Sequence, residues 1–310
     1  MQVKVSKFLI IIASLSLAGC NNSAPNTEES MQYPETQKVD AVDVYFGKEI
    51  KDPYRWLEND RSEETAAWVK AQNKVTEAYM SQISYRDSIE NKIAEIWNYE
   101  KIGAPFTEGN FTYFYKNDGL QNQYVLYRYA KDSDMEQAEV FIDPNTFSKD
   151  GTTSLSGINF SDSGKYAAYQ ISEGGSDWRK VLIMETESKK IIEDTLYDVK
   201  FSGLSWNADE GFYYSSYDKP DGSELSAKTD QHKLYYHKLG DAQSQDAVIF
   251  GATEAEKHRY VSGIVSRDNR FLYVYARKTT YGGKLMIKDL SKPKSNFVTI
   301  VNHYDSDTSV

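Results

Sequence analysis

Short runs of alternating apolar and polar residues dominate the chain from about residue 105 onward, and they recur at a nearly constant step. Leu126, Leu182, Leu234 and Leu285 each open a similar stretch, and the steps between them are 56, 52 and 51 residues. The last three units carry a polar turn at a fixed place, between their first and second apolar runs. A repeat of about 50 residues built from four short strands is typical of a β-propeller blade. The sequence therefore predicts about four blades.

Each of the last three repeats yields four predicted strands, and the first repeat yields a hairpin around Asn117-Asp118-Gly119. The hairpin strands are 111–115 and 124–129. The later strands are 157–160, 166–171, 181–184 and 190–192; then 204–206, 212–216, 233–237 and 247–250; then 263–265, 271–276, 284–288 and 297–301. One four-stranded blade cannot cover both of its faces, so neighbouring blades must stack.

Between residues 33 and 104 the apolar spacing changes to three and four, which predicts amphipathic helices. Asp60, followed three residues later by Glu63, resembles a helix-capping box at the start of the first helix. The two apolar stripes are Trp68, Ala71, Val75 and Ala78, and then Ile89, Ile93, Ile96 and Trp97. Two helices make a thin core, so we expect the stripes to pack on each other or on a further surface.

The first residues have the pattern of a targeting segment. Lys4 and Lys7 precede an apolar run from residue 8 to 18, and Leu17-Ala18-Gly19-Cys20 resembles the bacterial lipobox. This predicts a lipoprotein signal peptide over 1–19, lipidation of Cys20 and a flexible tether over 20–32; an ordinary signal-cleavage site is the alternative. We therefore expect a cell-envelope protein on the periplasmic or outer face, anchored to the membrane by lipid.

Composition narrows the possible partners and chemistry. The net charge is −10 and no sustained basic cluster occurs, which argues against nucleic acid as a partner. Cys20 is the single cysteine, so the chain forms no intramolecular disulfide and no cysteine-based metal site. We expect no cofactor.

Candidate chemical groups are few. No G-x-S-x-G motif occurs, and Gly151–Gly157 has the composition but not the spacing of one. The four histidines are expected to have structural roles, and His232 and His237 are poorly spaced for a metal chelate. Turn aspartates at 162, 209 and 268 fit turn capping better than calcium binding. No catalytic residue and no metal ligand are predicted.

Asp52-Pro-Tyr-Arg-Trp-Leu-Glu58 resembles a string near the start of the prolyl oligopeptidase family of serine peptidases. Further similar strings follow in order: 69–73, 119–127, 141–145, 174–178 and 232–237. The resemblance implies a seven-bladed propeller that caps a C-terminal α/β-hydrolase domain, on which the N-terminal segment packs. It also implies catalytic Ser, Asp and His residues located after the propeller. The resemblance also implies substrate contacts from the propeller face next to the hydrolase domain, and strand 181–184 is expected near that face. The position where relatives often have an aromatic residue is Ile183 here, so it is not predicted as a site residue.

The resulting expectation is a mainly β chain: an incomplete propeller of about four of seven blades over 105–310, preceded by a helical segment over 33–104 and lacking the α/β-hydrolase domain. It resembles the N-terminal part of an endopeptidase that cleaves short peptides after proline, with the propeller gating substrate size and this segment inactive alone. Expected partners are short proline-containing peptides, the hydrolase domain and the membrane. The alternative is a stand-alone surface lipoprotein that binds peptide, sugar or protein without catalysis.

Overall fold

The computed structural model describes residues 31–192, 195–220, 229–292 and 294–310. Cys20, the predicted signal peptide and most of the predicted tether lie outside these residues. Within them, neither helix has the length and apolar character needed to cross a membrane.

The N-terminal part contains a hairpin and two helices. Strands β1 (Val42–Tyr45) and β2 (Lys48–Lys51) pair antiparallel. Helix α1 spans Glu63–Met80 and helix α2 spans Arg86–Trp97. The prediction that Asp60 caps α1 is wrong, because Ser62 holds that position and its Oγ accepts a hydrogen bond from the backbone N–H of Thr65 at 3.0 Å.

The rest of the described chain forms four antiparallel sheets in chain order. Blade 1 contains β3 (Lys101–Ile102), β4 (Phe106–Glu108), β5 (Phe111–Asn117), β6 (Val125–Ala130) and β7 (Glu139–Ile142). Blade 2 contains β8 (Thr153–Phe160), β9 (Tyr166–Glu173), β10 (Trp178–Glu185), β11 (Lys190–Ile191) and β12 (Leu196–Lys200). Blade 3 contains β13 (Ser205–Asn207), β14 (Gly211–Ser216), β15 (Lys233–Lys238) and β16 (Ala247–Phe250). Blade 4 contains β17 (Tyr260–Val265), β18 (Phe271–Arg277), β19 (Lys284–Asp289) and β20 (Val298–Val301).

Three hydrophobic clusters lie between consecutive blades. Leu126 of blade 1 packs with Tyr169 of blade 2, and Phe212 of blade 3 packs with Val181 of blade 2. Leu234 of blade 3 belongs to the cluster that it shares with blade 4. Stacked blades thus bury the faces that a single sheet would leave in water, as the repeat predicts. The mainly β, partial-propeller fold preceded by a helical segment is confirmed.

The leucine register is correct in three blades and wrong in the second. Leu126, Leu234 and Leu285 each pair with the outermost strand just before a register shift. In blade 2 the equivalent residue is Val181, which pairs with Leu196 and is fully buried. Leu182 instead points to the opposite face, toward blade 1, because neighbouring residues of a strand alternate sides.

Blade 2 also contains a strand that the sequence reading missed. The predicted strand 190–192 exists as the short β11, but β12 pairs with the other half of β10. Its outer edge meets the side-chain amide of Gln243 from blade 3. That amide accepts a hydrogen bond from Tyr197 N–H at 2.9 Å and donates one to Tyr197 C=O at 2.8 Å.

Candidate functional site

The propeller has two faces that differ in their connections. In an up-and-down sheet, every connection from the second to the third strand lies at the same end. In blade 1 the end of the N-terminal segment contacts this connection, since Lys101 Nζ donates a hydrogen bond to the carbonyl of Gly119 at 2.9 Å. We call this end the proximal face, and the end that carries the turns between first and second strands the distal face.

A groove of about 350 Å³ opens on the proximal face between blades 3 and 4. Its aromatic walls are Phe201, which precedes β13, together with Tyr260 and Tyr275, and Arg277 lies at the end of β18. The remaining lining residues are Val261, Ser262, Thr279 and Thr280. Three rings and one guanidinium give this proximal groove the character of a small-ligand site.

His232 lies beneath the proximal groove and joins three blades. Its Nδ1 accepts a hydrogen bond from the backbone N–H of Val261 at 2.8 Å, so the proton resides on Nε2, which donates to the carbonyl of Lys200 at 2.9 Å. The ring stacks on Tyr217 with centroids 4.3 Å apart. Burial lowers the pKa of His232 to about 4, against the opposing effect of these backbone hydrogen bonds. The histidine is therefore neutral and fixes the groove walls.

Residues after β20 fold back beside the groove. Arg277 forms an ion pair with Asp307 at 3.4 Å, and Tyr275 Oη accepts a hydrogen bond from the backbone N–H of Val310 at 3.1 Å. Tyr304 donates its hydroxyl to Nε2 of His258, since Nδ1 of His258 donates to a backbone carbonyl. The cation of the groove is thus held by a carboxylate from this returning segment.

The distal turns of blades 2, 3 and 4 are linked to each other. Asn269 donates its side-chain amide to Asp162 and accepts a hydrogen bond from Ala208 N–H at 3.0 Å. Asp209 accepts hydrogen bonds from the hydroxyl of Ser163 at 2.6 Å and from its N–H at 3.2 Å. Burial is the largest single influence on the pKa of Asp209 and raises it, but the hydrogen bonds from Ser163 and Ser161, with the charge of Lys165, together lower this pKa. Asp209 therefore joins the neighbouring blades 2 and 3, and Asp162 joins blade 2 to blade 4, so neither only caps its own turn.

Asp268 behaves as a turn cap. It accepts hydrogen bonds from the hydroxyl of Ser266 at 2.6 Å and from the N–H of Arg270 at 3.2 Å. Within the described residues no group of three or more His, Asp or Glu side chains is arranged to hold a metal ion.

His237 lies in a second buried network at the rim of blade 3. Its Nδ1 lies 2.8 Å from Asp246 Oδ1, and Tyr214 donates its hydroxyl to Asp246 Oδ2 at 2.8 Å. Burial, followed by the charge of Asp246, raises the pKa of Tyr214. His232 bonds to the backbone of Lys200 and Val261, whereas His237 lies beside Asp246, and His303 is exposed.

Ile183 is fully buried in the cluster between blades 2 and 3. The aromatic residue on the proximal face of this region is Phe201, which is 43% exposed. The run Leu196–Lys200 leads directly into Phe201. Apolar and polar residues alternate only weakly in this run, and this alternation is the signal that could have predicted the strand.

Helix α2 carries an unburied apolar stripe next to the proximal face. Its four stripe residues Ile89, Ile93, Ile96 and Trp97 are between 49% and 61% exposed, and no residue of α2 is buried. Trp97 lies where the helix joins the propeller, since its carbonyl accepts a hydrogen bond from Lys101. The stripe is a surface without a partner among the described residues.

The domain profile described as "Prolyl oligopeptidase, N-terminal beta-propeller domain" matches residues 33–310. The chain therefore belongs to the prolyl oligopeptidase family. It is 52% identical over 309 residues to the prolyl endopeptidase of Elizabethkingia miricola and 50% identical to that of Elizabethkingia meningoseptica. These alignments cover 99% of this chain and 43% of each relative, so the chain spans less than half of their length.

Solved structures agree with this assignment. The prolyl oligopeptidase B of Galerina marginata, bound to a 35-residue hydrolysis and macrocyclization substrate, superposes with a TM-score of 0.73 at 28% identity. The match covers 88% of this chain and 42% of that chain. The family and the propeller fold are thus established.

Proposed function

We propose that this chain supplies the substrate-selecting propeller of a serine-type endopeptidase that cleaves short peptides after proline. The 52% identity to a prolyl endopeptidase supports this proposal. The chain contains no G-x-S-x-G motif on which a serine nucleophile of the α/β-hydrolase type would stand. By itself, therefore, it should be catalytically silent, and the nucleophile should belong to a hydrolase domain that docks on it.

The observation that carries the proposal is the exposed stripe of α2 beside the proximal face. Contiguous apolar surface of this kind usually marks a protein interface. We propose that Ile89, Ile93, Ile96 and Trp97 pack on the hydrolase domain. This contact would hold a catalytic centre against the same face on which the proximal groove opens.

The proximal groove fits a short proline-containing segment. Proline-rich segments dock into grooves lined by aromatic rings, and Phe201, Tyr260 and Tyr275 supply such a lining. Arg277 can donate hydrogen bonds to peptide carbonyls. A groove of about 350 Å³ accepts a few residues and not a folded domain. These dimensions support the proposal that the propeller selects substrates by size.

The docking proposal is tested by complementation. The purified chain is assayed with a proline-specific chromogenic peptide, alone and mixed with the separately produced part of the E. miricola enzyme that the alignment does not cover. We expect no turnover alone and turnover in the mixture. Ile93→Glu should lower the rate of the mixture by about tenfold or more, because it places a charge in an apolar interface.

Asn91→Glu is the matched control, because it introduces the same carboxylate on the opposite side of α2 and should leave the mixture active. Turnover by the 310-residue chain alone would contradict its catalytic silence. Equal effects of the two glutamates would contradict docking through the stripe.

The alternative function is a stand-alone propeller-like surface lipoprotein that binds peptide, sugar or protein without catalysis. The proximal groove also fits this alternative, because three aromatic rings can stack on a sugar or a peptide. A chain that binds such ligands tightly, and that gains no activity in the complementation mixture, would favour the binding module.

We also propose that Cys20 is lipidated and tethers the protein to the bacterial cell envelope, on the periplasmic or outer face. The lipobox-like string before Cys20 and the single occurrence of cysteine support this. Metabolic labelling with a radioactive fatty acid should mark the wild-type chain and not Cys20→Ser. Equal labelling of both would refute the anchor.

A further inference from the structure

We propose that Lys200 forms a carboxylate-binding subsite beside the proximal groove, an inference that rests on the peptide-binding function proposed above. Lys200 is the last residue of β12 and is 7% exposed. Its ammonium lies 4.7 Å from the ring centroid of Trp178 and 5.3 Å from that of Phe201. Phe201 also lines the proximal groove, so the cation lies directly behind one of the groove's walls.

The ammonium of Lys200 has no counter-ion among the described residues: it takes part in none of their hydrogen bonds or ion pairs through Nζ. Two acidic residues of this region are engaged elsewhere. Asp198 pairs with Lys219 at 3.2 Å, and Asp307 pairs with Arg277 at 3.4 Å. A positive charge therefore remains uncompensated in an otherwise acidic chain of net charge −10.

A buried cation without a partner is costly, and the faces of two aromatic rings offset only part of that cost. The nitrogen is nevertheless not sealed from solvent. Among the described side chains, the sealed atoms that lack a hydrogen-bond partner are Tyr113 Oη and Arg179 Nε. Lys200 Nζ is not one of these sealed atoms, so it retains some contact with solvent. The group that completes such a site best is a carboxylate, which forms a charge-assisted hydrogen bond with an ammonium.

The subsite is built into the fold and does not depend on a flexible side chain alone. His232 donates its Nε2–H to the carbonyl of Lys200, which fixes the backbone at this point. Phe201 follows in the left-handed region at φ 52°, a conformation that a phenylalanine rarely adopts unless its surroundings impose it. The backbone that carries Lys200 and Phe201 is therefore positioned before a ligand arrives.

The ligand class that fits is a short peptide with a free carboxylate next to its prolyl segment. The prolyl ring would pack in the proximal groove against Phe201, and the carboxylate would meet Lys200 behind that ring. The site would thus distinguish acidic from neutral peptides of equal length.

The test compares two peptides that differ in one carboxylate: succinyl-Gly-Pro-amide and acetyl-Gly-Pro-amide. Dissociation constants are measured on the 310-residue chain, and the lysine side-chain resonances are followed by NMR. We expect the succinyl peptide to bind about tenfold more tightly, as one charge-assisted contact allows. Lys200→Met should bring the two affinities within about twofold, and Lys200→Arg should retain the preference.

Lys180→Met is the matched control, because Lys180 is also stacked on a ring but already pairs with Glu173 at 2.6 Å. It should keep the preference. Equal affinities in the wild type, or a preference that survives in Lys200→Met, would overturn the subsite. Titration with succinate alone separates the two proposals. If succinate shifts the Lys200 resonances but neither peptide binds, the groove function is refuted and the subsite is retained. If succinate causes no shift and the chain shows no preference between the peptides, the subsite is overturned.

Discussion

The propeller buries its apolar side chains between stacked blades, whereas the N-terminal helical segment leaves its apolar side chains exposed. The propeller encloses Leu126, Phe212 and Leu234 completely between stacked blades. Helix α2 buries none of its residues, and α1 buries only Thr65. Isolated helices of this length are marginal in water. The propeller therefore derives its stability from its own repeats, whereas the helical segment leaves its apolar surface exposed.

The largest expected effect comes from the propeller core. Phe212→Ala should lower the free energy of unfolding by about 3–5 kcal/mol, because it leaves a cavity between blades 2 and 3. Denaturant unfolding followed by tyrosine and tryptophan fluorescence measures this. Phe46→Ala is the control in the N-terminal hairpin, where the ring is wholly exposed, and it should change stability by less than about 0.5 kcal/mol. Similar losses would contradict the contrast between the regions.

Acid should weaken the propeller through His232. Its pKa falls from 6.5 to about 4 on folding because the ring is buried, so the unfolded chain takes up a proton first as the pH drops. The stability contributed by the neutral ring is complete above pH 6.5 and declines between pH 6.5 and 4, by about 3 kcal/mol in total.

The measurement is the free energy of unfolding as a function of pH, compared between the wild type and His232→Gln. The variant should be less stable at neutral pH and should show a shallower decline. His303→Gln is the control, because that ring is exposed, and its profile should match the wild type. A profile of His232→Gln as steep as that of the wild type would refute this assignment.

A smaller effect is expected at the start of α1. Ser62→Ala removes the cap on the N–H of Thr65 and should destabilise the helix by about 1 kcal/mol. Amide hydrogen exchange should accelerate in α1 while the propeller strands stay protected. Ser88→Ala, on the exposed surface of α2, should change neither. Faster exchange in the propeller would show that the two regions are coupled.

The smallest effect on stability should come from the α2 stripe. Ile93→Glu replaces an exposed residue and should alter the unfolding free energy of the free chain by less than about 0.5 kcal/mol. The same substitution should strongly weaken complementation, as proposed above. A large loss of stability in the free chain would mean that the stripe is already buried in solution.

Much of the architecture could be predicted from the sequence, because a propeller repeats one local pattern of short strands and turns. The third-repeat strands were predicted within one residue, since turns such as Asn207–Gly211 mark their ends. The second repeat was less readable. The buried position of this register is Val181 and not Leu182. Both residues are apolar, so the apolar pattern alone does not distinguish them.

Almost none of the candidate site could be predicted from the sequence. His232 contacts residues 32 positions before it and 29 positions after it, and only the stacking of blades 2, 3 and 4 brings these together. Lys200 ends the short strand β12 and Phe201 follows it, and the irregular backbone of this strand hides its alternation. The functional prediction rested on the resemblance to a family, because the sequence contains no catalytic motif.

The linked distal turns have a consequence for how this region tolerates change. Asn269 of blade 4 contacts both the second and the third blade, at Asp162 and Ala208. An inserted residue in one of these turns would displace three repeats at once. On the opposite end, the connection at residues 278–283 has no comparable cross-blade bridge to blade 2 among the described residues. Variation in length during evolution should therefore accumulate at the proximal face, while the distal face keeps its dimensions.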